Sequence, residues 1–222
     1  EYPAVEYIME GDTPSFLSLI NNGLNVPEKP YWGGWGGRYE WYQPRFLPYQ
    51  RHSYQFAETR PIWTNADDEV VGKDGKIYID NRASIWRWRD AYQNDFAARM
   101  DWCTQPYAKA NHPPVPKVNA LEVVLPAGGS VVLDASASSD PDRHGLSYQW
   151  IHYPEAGNFW LPWNGLVFEN SQTAKLTIKS PEGIDIDRPR TTHIILQVTD
   201  NGTPNLTRYQ RVIVHVMPQT NK

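Results

Sequence analysis

The stretch from residue 194 to residue 216 reads IILQVTDNGTPNLTRYQRVIVHV and decides the fold of the second half of the chain. Apolar residues recur in the short, mostly alternating runs Ile194–Val198 and Tyr209–Val216, and such runs are typical of half-buried β-strands. Between the runs, Asp200-Asn201-Gly202 supplies residue types that favour a turn. The stretch therefore predicts two strands joined by a turn.

Similar runs fill the rest of residues 118–218, and turn residues such as Pro126–Gly129 and Ser139–Asp142 separate them. The further predicted strands are Leu121–Leu125, Val131–Leu133, Tyr148–Ile151 and Leu176–Ile178. Six or seven short strands in about 100 residues predict an all-β sandwich of immunoglobulin-like type, with Trp150 as a candidate core residue. The chain has a single cysteine, Cys103, so the disulfide of true immunoglobulin domains is absent.

Residues 1–110 have a different pattern and predict an α+β region. Asp12 or Thr13 can cap a helix that ends near Asn22-Gly23. A hairpin is predicted around Gly72–Gly75, and a helix over about 83–102 with one apolar face. That face contains Ile85, Trp88, Tyr92, Phe96, Met100 and Cys103. The proline-rich residues 111–117 predict a stiff, extended linker between the two domains.

Composition narrows the classes of partner. The 222 residues carry 21 basic and 25 acidic side chains, a net charge of -4, which argues against nucleic acid as the main partner. No apolar run reaches membrane-spanning length, so no membrane partner is expected. The chain holds 10 Trp and 13 Tyr, more rings than a core of this size needs. Exposed rings could stack on sugar faces, whereas an aromatic-rich core would explain many of them equally well.

Two segments concentrate these rings. Trp32-Gly33-Gly34-Trp35-Gly36-Gly37-Arg38 combines flexible backbone with two large rings, which suits either close approach to a ligand or burial within the domain. Phe159, Trp160 and Trp163 lie in a loop of the predicted sandwich, where they could bind a glycan or close the end of the sandwich. The candidate carbohydrate contacts are Trp32, Trp35, Arg38, Trp41, Trp160 and Trp163.

Acidic residues suggest a second kind of site. Asp134, Asp140, Asp142 and Asp200 could gather at one end of the sandwich, where carboxylates would suit Ca²⁺. Asp-Pro-Asp is also ordinary turn chemistry, which leaves both interpretations open. The six histidines show no metal-ligand spacing, and we interpret most of them as structural or solvent-facing.

Several long motifs resemble known families. The sandwich sequence resembles PKD-like modules of secreted bacterial enzymes, although the residues after Trp150 depart from the PKD pattern. Six longer motifs are distributed over the whole chain: Glu10–Leu17, Trp32–Tyr39, Ile85–Ala91, Asn94–Trp102, Asn111–Pro114 and Tyr153–Gly157. Through them the chain resembles a family of secreted bacterial cellulose-binding proteins with a nucleoside-hydrolase-like N-terminal domain and a C-terminal β-sandwich.

The resemblance implies that this chain is the C-terminal portion of such a protein. Residues 1–110 would be the last part of the nucleoside-hydrolase-like α/β domain, 111–117 the linker and 118–218 the immunoglobulin-like sandwich. The missing N-terminal part would carry the calcium motif, and Asp12 resembles a late Ca²⁺ ligand of nucleoside hydrolases. Glu10 or Gly11 stands near the position of that family's histidine, which puts a general-acid role in doubt. A helix cap explains Asp12 without a metal.

Three functional hypotheses follow from the sequence and the resemblance. The first is a secreted or periplasmic protein that binds cellulose or a related polysaccharide or glycoside. The second is a Ca²⁺-dependent glycosidic-bond hydrolase, of which this chain is a part that is inactive alone. The third is a sandwich that only stabilises the hydrolase-like half.

Overall fold

The computed structural model describes residues 12–42, 61–158, 165–184 and 186–219. The chain forms two compact units. The first contains the described residues up to Leu19 and from Val26 to Arg87, and the second contains Ile20–Asn25 and the described residues from Trp88 onward. Within the described ranges, no helix is both long and apolar enough to cross a membrane.

The first unit consists of short elements. Helix α1 spans Asp12–Leu19, and a 3₁₀ turn spans Pro30–Trp32. Strand β1 (Tyr39–Tyr42) pairs antiparallel with β2 (Ile62–Asn65). The predicted hairpin is confirmed, with β3 (Asp68–Val71) antiparallel to β4 (Ile77–Asp80) around a turn in which Gly75 has a φ of +75°.

The predicted helix over 83–102 is interrupted. Helix α2 spans Ala83–Trp86 and α3 spans Arg89–Thr104. The break falls between Arg87, which pairs with Asp68, and Trp88, whose buried ring packs edge-on against Tyr153 and Tyr209 at centroid distances of 6.1 and 5.5 Å. These two neighbouring side chains therefore have separate partners.

The predicted apolar face of this helix is also wrong along α3. Phe96 and Met100 are exposed, whereas Asp95 and Ala98 are buried. Asp95 is stabilised by Arg99, at 2.7 Å one turn along the helix, and by Arg208, at 2.8 Å. The two arginines offset the cost of burying the Asp95 carboxylate, and hydrophobic periodicity cannot detect an ionic contact of this kind.

The second unit contains the sandwich, and all six predicted strands are confirmed. The strands are β5 (Glu122–Leu125), β6 (Ser130–Asp134), β7 (Leu146–Tyr153), β8 (Val167–Glu169), β9 (Lys175–Lys179), β10 (Arg190–Asp200) and β11 (Thr207–Val216). One sheet has the order β5–β11–β10–β7 and the other β6–β9–β8. All neighbours in these two sheets are antiparallel except β5 and β11, which are parallel.

Side chains from both sheets form one core between them. Leu133, Leu176, Ile194 and Val214 are fully buried there. Trp150 is the predicted core tryptophan: it is 6% exposed, and its indole Nε1 donates to the carbonyl oxygen of Thr173 at 2.9 Å. This satisfied donor allows the large ring to be buried without an unpaired polar group.

Residues 20–25 are packed on β11 of the sandwich, although the sequence assigns them to the first domain. The Tyr209 N–H donates to the Asn22 carbonyl at 2.9 Å, and Arg211 Nη2 donates to the Leu24 carbonyl at 3.0 Å. Gly23 has a φ of +82°, and a Cβ placed on it would lie 1.9 Å from the Tyr209 carbonyl oxygen. Only glycine fits this approach of two backbones.

Residues 88–117 also make their contacts in the second unit. The predicted first domain extends to residue 110, whereas the compact units divide after Arg87. The stretch predicted as a stiff, extended linker is attached to the sandwich, since Val115 and Ser139 exchange backbone hydrogen bonds of 2.8 and 3.1 Å. Asn111 Nδ2 donates to the Asp200 carboxylate, which a sequence pattern of prolines gives no means to predict.

Candidate functional site

The glycine–tryptophan segment is a packed part of the first unit. Residues 33–38 are all buried, and Trp35 has no exposed surface. Gly37 has a φ of +98°, and a Cβ there would lie 3.1 Å from the side chains of Ser84 and Ile85. The glycines therefore serve close packing. As a glycan contact, Trp35 is corrected to a core residue.

Arg38 has a structural partner in place of a ligand. Its Nε donates to Asp68 Oδ1 at 2.7 Å, and Arg87 Nη1 lies 3.1 Å from Asp68 Oδ2. Asp68 is fully buried, and Arg38 is 8% exposed. Two guanidinium groups thus neutralise one buried carboxylate and fix the segment to β3 and α2. Arg38 is corrected from a candidate contact to a buried, ion-paired residue of the first unit.

A group of exposed rings lies on the surface of this unit. We call Tyr31, Trp32, Trp41 and Trp63 the ring platform. Trp41 and Trp63 are directly opposite each other on β1 and β2, with centroids 5.3 Å apart and planes at 66°. Tyr31 stacks nearly parallel to Trp63, at 6.1 Å and 11°. Trp32 meets Tyr31 edge-on at 6.4 Å.

The ring platform is open to solvent. Trp41 is 60% exposed, Trp63 44% and Tyr31 42%. Trp32 is half-buried, and Lys29 Nζ lies 3.9 Å from the centroid of its indole ring, a cation–π contact that holds it in place. Large apolar rings exposed together on one surface are unusual outside binding sites.

Polar groups border the rings. Asn65, which is exposed, lies opposite Tyr39, and this pair is two residues along the strands from Trp41 and Trp63. Side chains two residues apart share a face, so the Asn65 amide lies beside the platform. The Tyr39 hydroxyl donates to the Gly36 carbonyl at 3.0 Å, and burial raises the pKa of Tyr39. The surface can therefore offer ring faces together with a hydrogen-bonding amide.

The sequence-based candidates divide into three groups. Trp32 and Trp41 lie in the ring platform, whereas Trp35 and Arg38 lie beneath the surface. Trp160 and Trp163 lie outside the described residues, and their role as glycan contacts stays a prediction. Tyr31 and Trp63 were missed. The alternation in Ile62-Trp63-Thr64-Asn65 is a strand signal that could have been found, but it is only four residues long.

Asp12 begins helix α1, and its side chain is outside the described part of the chain. Its role as a Ca²⁺ ligand in the longer protein stays a prediction.

The acidic residues of the second unit gather only in part. Asp140 and Asp200 lie close together with His144, with one ligand atom of each within 4.8 Å of the others. Asp134 pairs instead with Lys175 at 2.9 Å; hydrogen bonds from Ser136 and Lys175 lower its pKa to about 2. Burial alone would raise the pKa of Asp142, but hydrogen bonds from His112 bring it below its usual value. Of the four acids that could gather, only Asp140 and Asp200 do so, and they are joined by His144. The sequence analysis did not identify this histidine as part of the cluster.

Two family models match the chain. Residues 130–216 match the C-terminal domain of cellulose-binding protein Sde0182, and residues 1–39 match the nucleoside hydrolase-like domain of cellulose-binding Sde182. No curated protein sequence matches the chain.

Solved structures extend the comparison. A nucleoside hydrolase-related hypothetical protein from Saccharophagus degradans, associated with carbohydrate metabolism, shares 37% identity at a TM-score of 0.74. The alignment covers 97% of this chain and 50% of that one, so this chain spans about half the length of that relative. The PKD domain from the KIAA 1837 protein aligns with 22% identity and a TM-score of 0.33, over 51% of this chain and 96% of that domain.

Proposed function

The chain belongs to the family of Sde182-type cellulose-binding proteins, and on this premise we propose that it binds cellulose or a related glycan through the ring platform. The observation that carries the proposal is the group of exposed rings on β1, β2 and the preceding turn. Pyranose rings have apolar C–H faces that stack on flat aromatic side chains, while their hydroxyl groups need polar partners at the edge. The platform and Asn65 supply both.

The angles between the rings favour one form of the ligand. Tyr31 and Trp63 are nearly parallel, but Trp41 is inclined by 66° to Trp63. A flat crystal face cannot lie against rings in two different planes at once. A single glycan chain can bend or turn to contact both, so we propose that the ligand is an individual chain, as found in amorphous cellulose.

Retention of the protein on insoluble glucans tests this proposal. We expect stronger retention on phosphoric-acid-swollen cellulose than on microcrystalline cellulose. Trp63→Ala removes the ring that contacts both Tyr31 and Trp41, and its loss will weaken binding about tenfold, which corresponds to about 1.4 kcal/mol. Trp41→Ala will have a similar effect.

Phe96→Ala is the matched control, because Phe96 is an equally exposed ring, at 62%, in the second unit. It will bind like the unchanged chain. If the two tryptophan variants retain full binding while folded, the ring platform is not the glycan site, and the loop containing Trp160 and Trp163 is the next region to mutate. If the unchanged chain is not retained on any glucan, the role of a stabilising spacer is favoured.

An extracellular ligand also implies an extracellular protein. We propose that the protein is secreted or periplasmic, since insoluble polysaccharide is met outside the cytoplasm. Fractionation of the natural host, followed by detection with an antibody against this chain, tests the location. Detection only in the cytoplasmic fraction would contradict it.

A further inference from the structure

We propose that the second unit binds one transition-metal cation of the zinc class at Asp140, His144, Asp200 and Asn111. The site lies at one end of the sandwich, where three segments meet. Asp140 and His144 belong to the connection from β6 to β7, Asp200 ends β10, and Asn111 precedes β5. One ligand atom each from Asp140, His144 and Asp200 lies within 4.8 Å of the others.

Buried ligand atoms in this cluster lack hydrogen-bond partners. The Asp140 side chain is 1% exposed; its Oδ1 accepts from the backbone N–H groups of Asp142 and His144, both at 2.9 Å. Its Oδ2 is buried and, among the described residues, accepts nothing. The same holds for His144 Nδ1 and for Asn111 Oδ1. A buried polar atom without a partner is unfavourable, so the unsatisfied Asp140 Oδ2 and His144 Nδ1 in one cluster indicate a missing common partner.

The charge of the cluster points to a cation. Asp140 and Asp200 are buried close together, and neither is paired with a lysine or arginine in the described part of the chain. His144 Nδ1 lies 3.7 Å from Asp140 Oδ1, too far for a hydrogen bond. Two adjacent buried carboxylates repel each other unless a proton or a cation lies between them.

The neighbouring backbone already holds Asp200 in a fixed orientation. Its Oδ1 accepts from the N–H groups of Gly202 and Leu206 at 2.9 Å each, and Asn111 Nδ2 lies 3.2 and 3.1 Å from the two carboxylate oxygens. The amide of Asn111 thus lies against Asp200, and its side-chain oxygen, which accepts no hydrogen bond among the described residues, is the fourth ligand that we propose. Preorganised ligands of this kind reduce the entropy cost of metal binding.

The histidine decides the class of metal. Ca²⁺ and Mg²⁺ are bound almost entirely by oxygen atoms, whereas Zn²⁺ and its first-row neighbours take imidazole nitrogen together with carboxylate oxygen in four-coordinate sites. The His144 ring is 34% exposed, which leaves the cluster a path to solvent through which an ion can enter. The carboxylates alone suggested Ca²⁺, but with His144 among the ligands we expect Zn²⁺ or a neighbouring first-row cation.

Metal titration of the full, untagged chain tests this site. A Cys103→Ser background removes the exposed thiol, which would bind Zn²⁺ independently. After treatment with a chelator, calorimetry with Zn²⁺ will show one equivalent bound per chain. Zn²⁺ at a hundredfold excess over Kd will raise the Tm of the second unit by at least about 5 °C, and Ca²⁺ will not.

Three variants locate the ion. His144→Gln and Asp140→Asn will lose the bound equivalent and the rise in Tm. Asp140→Asn also relieves the repulsion with Asp200, so its metal-free Tm will not fall below that of the unchanged chain. His215→Gln is the control, since His215 pairs with Glu122 at 2.7 Å on the same sandwich, and it will bind Zn²⁺ normally.

Some results would overturn the proposal. These are the absence of stoichiometric Zn²⁺ binding, full Zn²⁺ binding by folded His144→Gln, or binding of Ca²⁺ in preference to Zn²⁺. Because the ring platform belongs to the first unit, glucan retention by His144→Gln will be unchanged, so failure here is distinct from failure of the glycan proposal.

Discussion

Gly23 is a single residue on which the packing of residues 20–25 depends. Alanine at this position pays about 1–2 kcal/mol for the positive φ, and its Cβ would overlap the Tyr209 carbonyl, which forces the backbones apart. We expect Gly23→Ala to lower the free energy of unfolding of the second unit by about 2–4 kcal/mol in urea denaturation.

Gly183→Ala is the control for this substitution, because no heavy atom lies within 4 Å of the Cβ it would add. It will change stability by less than about 0.5 kcal/mol. Equal midpoints for the two variants would mean that the contact between Gly23 and Tyr209 does not contribute to folding.

His152 gives the second unit a dependence on pH. Burial lowers the pKa of its imidazole to about 4, and its Nε2 lies 2.7 Å from Thr192 Oγ1. In the unfolded chain the pKa is about 6.5, so the unfolded state takes up a proton first as the pH falls. We expect stability to be complete above pH 6.5 and to decrease by about 3 kcal/mol toward pH 4.

Thermal unfolding between pH 4 and pH 7.5 measures this effect. His152→Gln replaces this imidazole with an amide that does not titrate, so the Tm of the variant will depend less on pH than the Tm of the unchanged chain. His215→Gln, which alters a half-buried histidine on the same sandwich, will leave the slope in place. A parallel decrease in the unchanged chain and in His152→Gln would assign the effect to other groups.

Among the elements, the carboxylate of Asp68 on β3 connects the glycine–tryptophan segment, through Arg38, with Arg87 at the end of α2. Asp68→Asn removes the buried carboxylate that pairs with both Arg38 and Arg87, and the loss of one partner from a buried ion pair costs about 3–5 kcal/mol. We expect the first unit to unfold at a lower denaturant concentration, as measured by limited proteolysis within residues 26–87 across a denaturant series.

Asp80→Asn is the matched change at a surface pair. Asp80 and Arg82 are 2.8 Å apart, with side chains 30% and 44% exposed, and such pairs contribute less than about 1 kcal/mol. A larger loss in Asp80→Asn than in Asp68→Asn would show that burial does not control the strength of these pairs.

The sandwich strands could be predicted because their alternation matches one buried face, and Trp150 followed from that pattern. Strand β8, three residues long, carried too little pattern to be recognised. The hairpin of β3 and β4 followed from its glycine turn. In these cases local sequence and tertiary burial agree.

Tertiary contacts explain where prediction failed. Trp88 lies at the break between α2 and α3, where its ring packs against two tyrosines that are distant in sequence. Asp95 is buried because it pairs with Arg208, which lies on a strand more than 100 residues away. Of the candidate rings, the sequence does not distinguish the exposed Trp41 and the half-buried Trp32 from Trp35, which fills the core. Trp63 joins them through strand pairing, which single-sequence periodicity does not reveal.

For the whole molecule, the extent of the second unit predicts how truncated chains behave. A chain of residues 118–222 lacks Trp88, the pair of Asp95 with Arg208, and Asn111 beside Asp200. We expect its Tm to lie at least about 10 °C below that of a chain of residues 88–222, because several buried contacts are lost together.

Circular dichroism melts of the two truncated chains provide the measurement. Adding a peptide of residues 18–27 to the longer chain will raise its Tm, whereas the same peptide with Gly23→Ala will not. Equal melting temperatures for residues 118–222 and 88–222 would mean that the sandwich is complete without α3 and residues 111–117.

The attachment of residues 20–25 to β11 limits how gene recombination can exchange the two units. The chain passes from one unit to the other after Leu19, after Asn25 and after Arg87, so no single cut in the gene separates the units. A fusion that transfers only the sandwich leaves Asn22 and Leu24 behind, and exposes the Tyr209 N–H and Arg211 that they cover. Recombination can therefore exchange these two units successfully only as a pair.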